Sequence, residues 1–491
     1  MKEKMLNRVK KVLFDKNFYL FLFISLMFFG MFVRMNYATD TYSVLCSEKR
    51  AILTNFIRAG RFITGFFFAA FSVLKIKIGI VYLCSFLLAI FSITISMYEL
   101  FNFIKSEVKN ELICFLISVL TIINPFSVEM LLYIEKGVMT LSILFCTLGA
   151  IKMVEFFKER KLKKLIVPFM YMIIAVFSYQ GTVALFVIIS TVFIIKYSKS
   201  FKDFVVNNIA TVGIYGISAL INLILVKILS KGGRLDGNVD LKLAISIVGK
   251  KTLYMFHTYE IISHNLFVIM ILLSLLLTFI VIFKNKNKLI RILELAYILV
   301  FVYMFSIAPQ LMQRTENVWL VARSTYAFAS MPGVIQLFAV MIDEKECKRI
   351  YNGFAAIAII FLMVEFSRFI KIETDNFNTN YTDRLIANDI YSEILKYEKE
   401  TGNHVENIAI YKDKNPRYAY PNIFASGDIN ITGFATDWSD VNLINYYNNI
   451  NLKKVEKDKE IEENFANNDW TRFDSREQII FKNNTIHLCV Y

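Results

Sequence analysis

Proline is scarce in this 491-residue chain, with 6 in all, and histidine is scarcer, with 4. Charge is thin too: Asp, Glu, Lys and Arg make up 20% of the residues, against about 25% in soluble domains. The six cysteines form no framework. Cys84, Cys114 and Cys146 lie inside apolar runs, where a thiol is a small core residue, and Cys46, Cys347 and Cys489 stand singly without metal spacing. A bridge between Cys46 and Cys489 is conceivable, since both face outward in the topology derived below. His257 and His264 are seven apart and share a face if a helix extends that far, but two ligands do not make a metal site, and they read as interface residues. No P-loop, GxSxG, HExxH or GxGxxG occurs, which disfavours cytoplasmic nucleotide hydrolysis. There is no tandem repeat, and the one biased stretch, Lys453 to Glu463, reads as a solvated helix face.

What is abundant is apolar: 56% of residues are hydrophobic and 46 are Phe, with a mean hydropathy of +0.50. A soluble globular protein is excluded, and the chain reads as an integral membrane protein. Its charge divides it in two. From Ile372 to Tyr491 there are 20 acidic and 13 basic residues, a net of −7, so residues 1–371 carry +21. The expected organisation is a polytopic membrane domain over 1–371 and a C-terminal α/β domain over 372–491.

Charge-free runs span 17–33, 78–98, 112–128, 137–151, 165–195, 204–226, 261–283, 295–313, 324–342 and 350–364, most of them near the ~20 residues a bilayer requires. The run from Leu165 to Ile195 is too long for one span and short for two full ones. Its polar break, Ser178-Tyr179-Gln180-Gly181, predicts two short helices meeting there. Eleven spans then put every short basic loop on one side, from Lys2–Lys16 to Lys345–Arg349, as the positive-inside rule expects. The N-terminus is expected in the cytoplasm and the C-terminal domain outside. The Phe-rich stretch Phe62 to Leu74 is expected to lie in the outer interface, and the first helix to stay as an anchor, because Gly30-Met-Phe-Val-Arg34 lacks a small-x-small cleavage site. In the tail, Thr382–Lys399 has helical spacing and Asn407–Tyr411 reads as a strand. Val441–Asn449 reads as a short helix, and Gln478–Lys482 with Thr485–Val490 as a hairpin around Asn483-Asn484.

Candidate chemistry sits in the external loops. Asp40, a few residues beyond the first span, can serve as general base for a hydroxyl at the membrane surface, or be a solvated loop carboxylate. Arg58 and Arg61, three apart around Gly60, would share a helix face. Their guanidinium forks suit a phosphate or pyrophosphate, and equally lipid headgroups. The same two readings apply to Lys136, Arg314 and Arg323. Glu129 and Glu135 bracket the third external loop; Glu135 reads as a local pair with Lys136, and Glu129 as structural or as a second acid or metal carboxylate. Gln180, a polar group at membrane depth, must find a partner or line a cavity.

The order of several short motifs carries a resemblance. A signal-anchor, Thr39-Asp40-Thr41-Tyr42, then Ala59-Gly60-Arg61-Phe62, Asn124-Pro125-Phe126 and Ser178-Tyr179-Gln180 resembles bacterial and phage type II glucosyl transferases of the serotype-converting kind. In the tail, Gly427-Asp428-Ile429-Asn430 and Asp437-Trp438 look like that family's terminal segment. The resemblance implies a GT-C glycosyltransferase, which takes a sugar from a polyprenyl-phosphate donor at the outer membrane face and attaches it to a cell-surface glycan. It implies Asp40 as base, Arg61, Arg58 or Arg323 at the donor phosphate, and Gln180, Glu129 and Tyr42 as further site candidates. Many members carry Asp-Asp in the first loop; here Thr39 precedes Asp40, which leaves one carboxylate and puts a divalent metal in doubt. The expected partners are lipid-linked donor, glycan acceptor and bilayer, and no nucleic acid. Two other classes fit the outline. A lipid-linked glycan transporter or flippase would use broken helices and buried charges, and a non-enzymatic sensor would need the external domain and not Asp40.

Overall fold

In a computed structural model, residues 12, 14–46, 49–229, 241–311, 318–343 and 347–490 are described. Arg314, Tyr491, the basic residues from Lys2 to Lys11, Lys345 and the side chain of His264 fall outside that description. The chain is mostly helical, with a small C-terminal sheet, and divides into two compact units: 1–33, 49–131 and 135–370 form the first; 34–48, 132–134 and 371–491 the second. The second unit thus takes in Arg34–Glu48 and Leu132–Ile134, which the charge division assigned to the membrane part.

In the first unit, each of the eleven apolar segments is helical. Among the described residues nine helices are long and apolar enough to cross a bilayer. The other two runs give Glu111–Ile122 and Ile166–Ser178, of 12 and 13 residues, short of the ~20 that a span needs. The first stops early because Pro125 cannot continue a helix and the Asn124 side chain takes over the turn, accepting from the Phe126 N–H at 3.0 Å and donating to Ser330 Oγ at 3.1 Å. Helix starts carry side-chain caps: Asp15 accepts from Asn17 N–H at 2.9 Å and Asn110 from Ile113 N–H at 3.1 Å. Phe62–Val73 is a 12-residue helix of its own.

Small residues let the central helices touch. A Cβ on Gly137 would lie 2.4 Å from Ser85 O, and one on Gly333 would lie 2.6 Å from Thr121 Oγ1, the close approach that membrane helices use. Every residue from Leu320 to Ile342 is buried, so this segment is the unit's centre. By contrast, Phe201–Leu229, His264–Lys284 and Lys288–Leu311 expose Ile209, Leu220, Leu272, Leu276, Leu293 and Val300. Apolar faces that long are not left to water by a soluble protein.

The last apolar run and the tail helix are one element, Lys348–Thr401, rather than a span followed by a separate helix, and its residues from Lys371 on belong to the second unit. Between them there is no Pro or Gly to stop it. Three of its buried polar residues are bonded to loops of the second unit, while the carboxylate oxygens of Glu365 and Glu373 have no hydrogen-bond partner among the described residues. Asp375 Oδ2 accepts from Phe424 N–H at 2.9 Å, and Asn380 accepts from Tyr37 N–H at 2.8 Å and donates to Tyr37 O at 3.1 Å. Asp383 accepts from Tyr420 OH, Thr432 Oγ1 and Gly433 N–H. A buried polar face reads in sequence as a linker.

The sheet runs β2-β1-β4-β3, with β1 Asn407–Lys412, β2 Lys453–Lys454, β3 Ile479–Lys482 and β4 Thr485–Val490. Strands β1 and β4 pair in parallel from Asn407 with Thr485 to Lys412 with Val490, and β3–β4 is the expected hairpin. Asn483 and Asn484 both adopt positive φ, as a two-residue primed turn requires. Cys489 is buried beside Ala409, Tyr411, Ile461 and Phe465, while Cys46 is exposed and donates to Asn442 O; both thiols are free, so the conceivable Cys46–Cys489 bridge does not form.

Asp383 also links this unit to pH. Burial pushes its carboxyl up to about 6 from 3.8, against the opposing pull of the Thr432, Tyr420 and Gly433 donors. A carboxyl raised in the folded state contributes stability that is fully present below its unfolded value and is lost as pH rises through the folded one. Between pH 4 and 6 the unit therefore loses stability with rising pH through this residue. Asp383→Asn is expected to flatten that part of the pH–melting curve; an unchanged slope would remove Asp383 as its cause.

Candidate functional site

The first unit contains a cavity of about 120 Å³ built from three helix-end turns. The first turn closes helix Lys49–Arg58. Gly60 N–H bonds Ile57 O, and Arg61 N–H bonds Phe56 O, a Schellman end with Gly60 at φ +70°. Because the chain reverses there, Arg58 and Arg61 do not share a helix face as expected, yet both line the cavity. The Gly60 carbonyl accepts from Gln180 Nε2 at 2.8 Å and Asn222 Nδ2 at 2.7 Å. A Cβ at Gly60 would stand 2.5 Å from Asn222 Oδ1, so geometry and packing both require glycine.

The second turn is the break in the long apolar run, where Ile166–Ser178 gives way to a 3₁₀ turn, Gln180–Thr182, and then Ala184–Tyr197. Gln180 thus finds its partners in the first turn and lines the cavity as well. The third turn is Ala322–Thr325, so close to the second that a Cβ on Gly181 would lie 2.6 Å from Arg323 O. Val176, Val183 and Leu223 give the cavity apolar walls, and Trp319 stands at it, half exposed.

The three arginines are not equivalent. Arg323 donates through both its backbone N–H, at 2.7 Å, and its guanidinium to buried Glu129. Glu129 is thereby the brace of the third turn, and much of the Arg323 charge is neutralised. Arg61 lies 3.5 Å from Glu135 and stacks on the Tyr179 ring at 4.8 Å, while its Nε is buried without a hydrogen-bond acceptor among the described residues. Arg58 is exposed and has no acidic partner among the described residues. Glu135 acts electrostatically on its neighbour Lys136, as expected, and also lies beside Arg61. Lys136 is no phosphate candidate: it is fully buried, with Nζ on Phe32 O at 3.1 Å and Tyr82 OH at 2.7 Å. The cavity therefore joins two cations of unequal pairing to an apolar wall, an arrangement suited to an amphiphile with an anionic head.

Asp40 and Tyr42 belong to the second unit, on helix Thr39–Cys46. Tyr42 is buried, its hydroxyl bonded to Asn380 Oδ1 and Tyr447 OH at 3.0 Å each, so it anchors this helix. Two residues earlier, Asp40 is only half-buried, and its Oδ1 accepts from Trp438 Nε1 at 2.9 Å. Asn222 has one sign in the sequence, an amide inside a charge-free run, and the Trp438 contact, 398 positions long, has none.

Among the described residues no three His, Cys, Asp or Glu side chains are grouped so as to hold a metal ion. No family model, no curated protein and no solved structure matches the chain.

Proposed function

We propose that the chain is a GT-C-type membrane glycosyltransferase that moves a sugar, glucose by resemblance, from a polyprenyl-phosphate donor to a cell-surface glycan at the outer face of the membrane. One observation carries this reading. Arg58, Arg61, Arg323 and Gln180, singled out on separate loops, line a single cavity whose remaining wall is largely apolar, matching a phosphate on an isoprenoid chain. In this reading Arg61 and Arg58 hold the phosphate as the sugar leaves, Arg323 and Glu129 fix the third turn, and Asp40 takes the acceptor proton. Stabilising charge that develops on a leaving phosphate is the largest lever an enzyme has in such a transfer.

A transporter of the same lipid-linked glycan remains the second reading, because the broken helix at Tyr179–Gly181 and the buried Arg323–Glu129 pair are features that transporters use. Purified protein given polyprenyl-phosphate glucose and acceptor glycan separates them. Release of polyprenyl phosphate with glucosylated acceptor is expected; movement of intact donor across a vesicle without release would select transport, and neither would select a sensor.

Two further outcomes follow. A reporter active only in the cytoplasm is expected to be silent after Tyr491 and active after Lys288, and the opposite pattern would overturn the eleven-span orientation. Arg61→Lys keeps the charge but loses the fork. Donor use is expected to fall by about 1–3 kcal/mol, the scale of a charge-assisted hydrogen bond, with acceptor dependence little changed. Donor kinetics within about twofold of wild type would return Arg61 to headgroup anchoring, which lysine also performs.

A further inference from the structure

The hydrogen bond between Trp438 and Asp40 joins two positions 398 apart in the chain, both in the second unit. Helix Thr39–Cys46 packs on helix Asp440–Asn448 through Tyr42, which lies edge-on to Tyr446 at 6.2 Å and bonds Tyr447. This fixes the backbone under both residues. Asn442 Nδ2 donates to Trp438 O at 2.8 Å and holds the tryptophan's own backbone. The indole has one donor, and it is spent on Asp40 Oδ1. Its ring is therefore oriented by the carboxylate, yet Trp438 remains 54% exposed. Asp40 Oδ2 has no partner among the described residues. Beside them Asp437 is exposed.

An open aromatic face locked beside a carboxylate is the pairing that recognises a pyranose. The C–H face of the sugar ring covers the indole, and its hydroxyls donate to the free carboxylate oxygen. We propose that Trp438 is the stacking platform of an acceptor-sugar subsite and the residue that orients Asp40, and that the sugar taken is a neutral hexopyranose. The Asp40 carboxylate on this rim disfavours a polyanionic glycan, while the charge of Asp437 is offset by Lys454 at 3.7 Å. The inference rests on the transfer reading for the role of Asp40, while sugar binding by Trp438 stands apart from it.

The full-length protein has three tryptophans, Trp319, Trp438 and Trp470, so 5-fluorotryptophan labelling gives three fluorine resonances, with Trp438 identified by its loss in Trp438→Phe. Glucose, maltotriose and chitotriose are the probes, with a hyaluronan tetrasaccharide as the anionic control. At least one neutral probe is expected to shift the Trp438 resonance saturably while Trp470 stays put, and hyaluronan is expected to do so at least tenfold more weakly. No shift with any neutral probe, or an equal shift with hyaluronan, overturns the proposal. So does broadening of Trp438 by a spin-labelled lipid in place of a sugar response, since exposed tryptophans also sit in membrane interfaces. In the transfer assay, Trp438→Ala is expected to raise the acceptor KM on the order of tenfold, with donor KM unchanged. Transfer with an unaltered acceptor KM removes the subsite and keeps the transferase; a sugar-dependent resonance in a protein that transfers nothing keeps the subsite and removes the transferase.

Discussion

Asp40→Asn is expected to lower sugar transfer on the order of 10²-fold or more while leaving expression and detergent stability unchanged. The amide has nearly the volume of the acid, and its oxygen can accept the same bond from Trp438 Nε1, so helix Thr39–Cys46 keeps its anchors through Tyr42. What the amide cannot do is take a proton from an acceptor hydroxyl. Acceptor binding should therefore persist while turnover falls. Turnover like that of wild type would remove Asp40 from the mechanism and leave it a surface carboxylate.

Arg323→Ala is expected to destabilise the first unit by about 3–5 kcal/mol, because it leaves Glu129 buried without its guanidinium partner. The penalty belongs mostly to the stranded carboxylate. Adding Glu129→Gln to Arg323→Met should recover much of the loss in a detergent melt, even though two groups are then missing. If the double variant melts no higher than Arg323→Ala, the pair is not the brace of the third turn. The activity of the double variant is a separate readout: a stable protein with weakened donor use would give Arg323 a direct hold on the phosphate.

The sequence announced the apolar helices and strands β1, β3 and β4 because they follow local periodicity, whereas β2 lies at the start of the Lys453–Glu463 stretch that read as a helix face and is helical only from Lys459. The break at Tyr179–Gly181 was readable as the polar interruption in an apolar run of impossible length, and the β3–β4 hairpin as an Asn-Asn turn between alternating segments. Other features depend on contacts that no local pattern encodes. Glu129 and Arg323 are 194 positions apart, so neither could be named as the other's partner, and nothing local shows that Glu135 also faces Arg61 at 3.5 Å. The reach of Lys348–Thr401 was hidden because the polar residues that face Tyr37, Tyr420 and Thr432 look like linker until the loops that satisfy them are in place. Arg58 and Arg61 were placed together by the wrong geometry, a shared helix face, where a glycine-centred helix end brings them to one cavity. Asn222 carried one legible signal: an amide in a charge-free stretch must bond something, and here it bonds the Gly60 carbonyl.

The most direct measurement is to locate a short-chain polyprenyl phosphate bound to the full-length protein by electron cryomicroscopy. If the cavity is the donor site, the phosphate lies against the Arg61 Nε and Arg58 guanidinium groups and the isoprenoid runs along Val176, Val183 and Leu223. A phosphate bound elsewhere, with Arg61 still facing Glu135 and Tyr179 alone, would contradict the assignment of this cavity to the lipid donor.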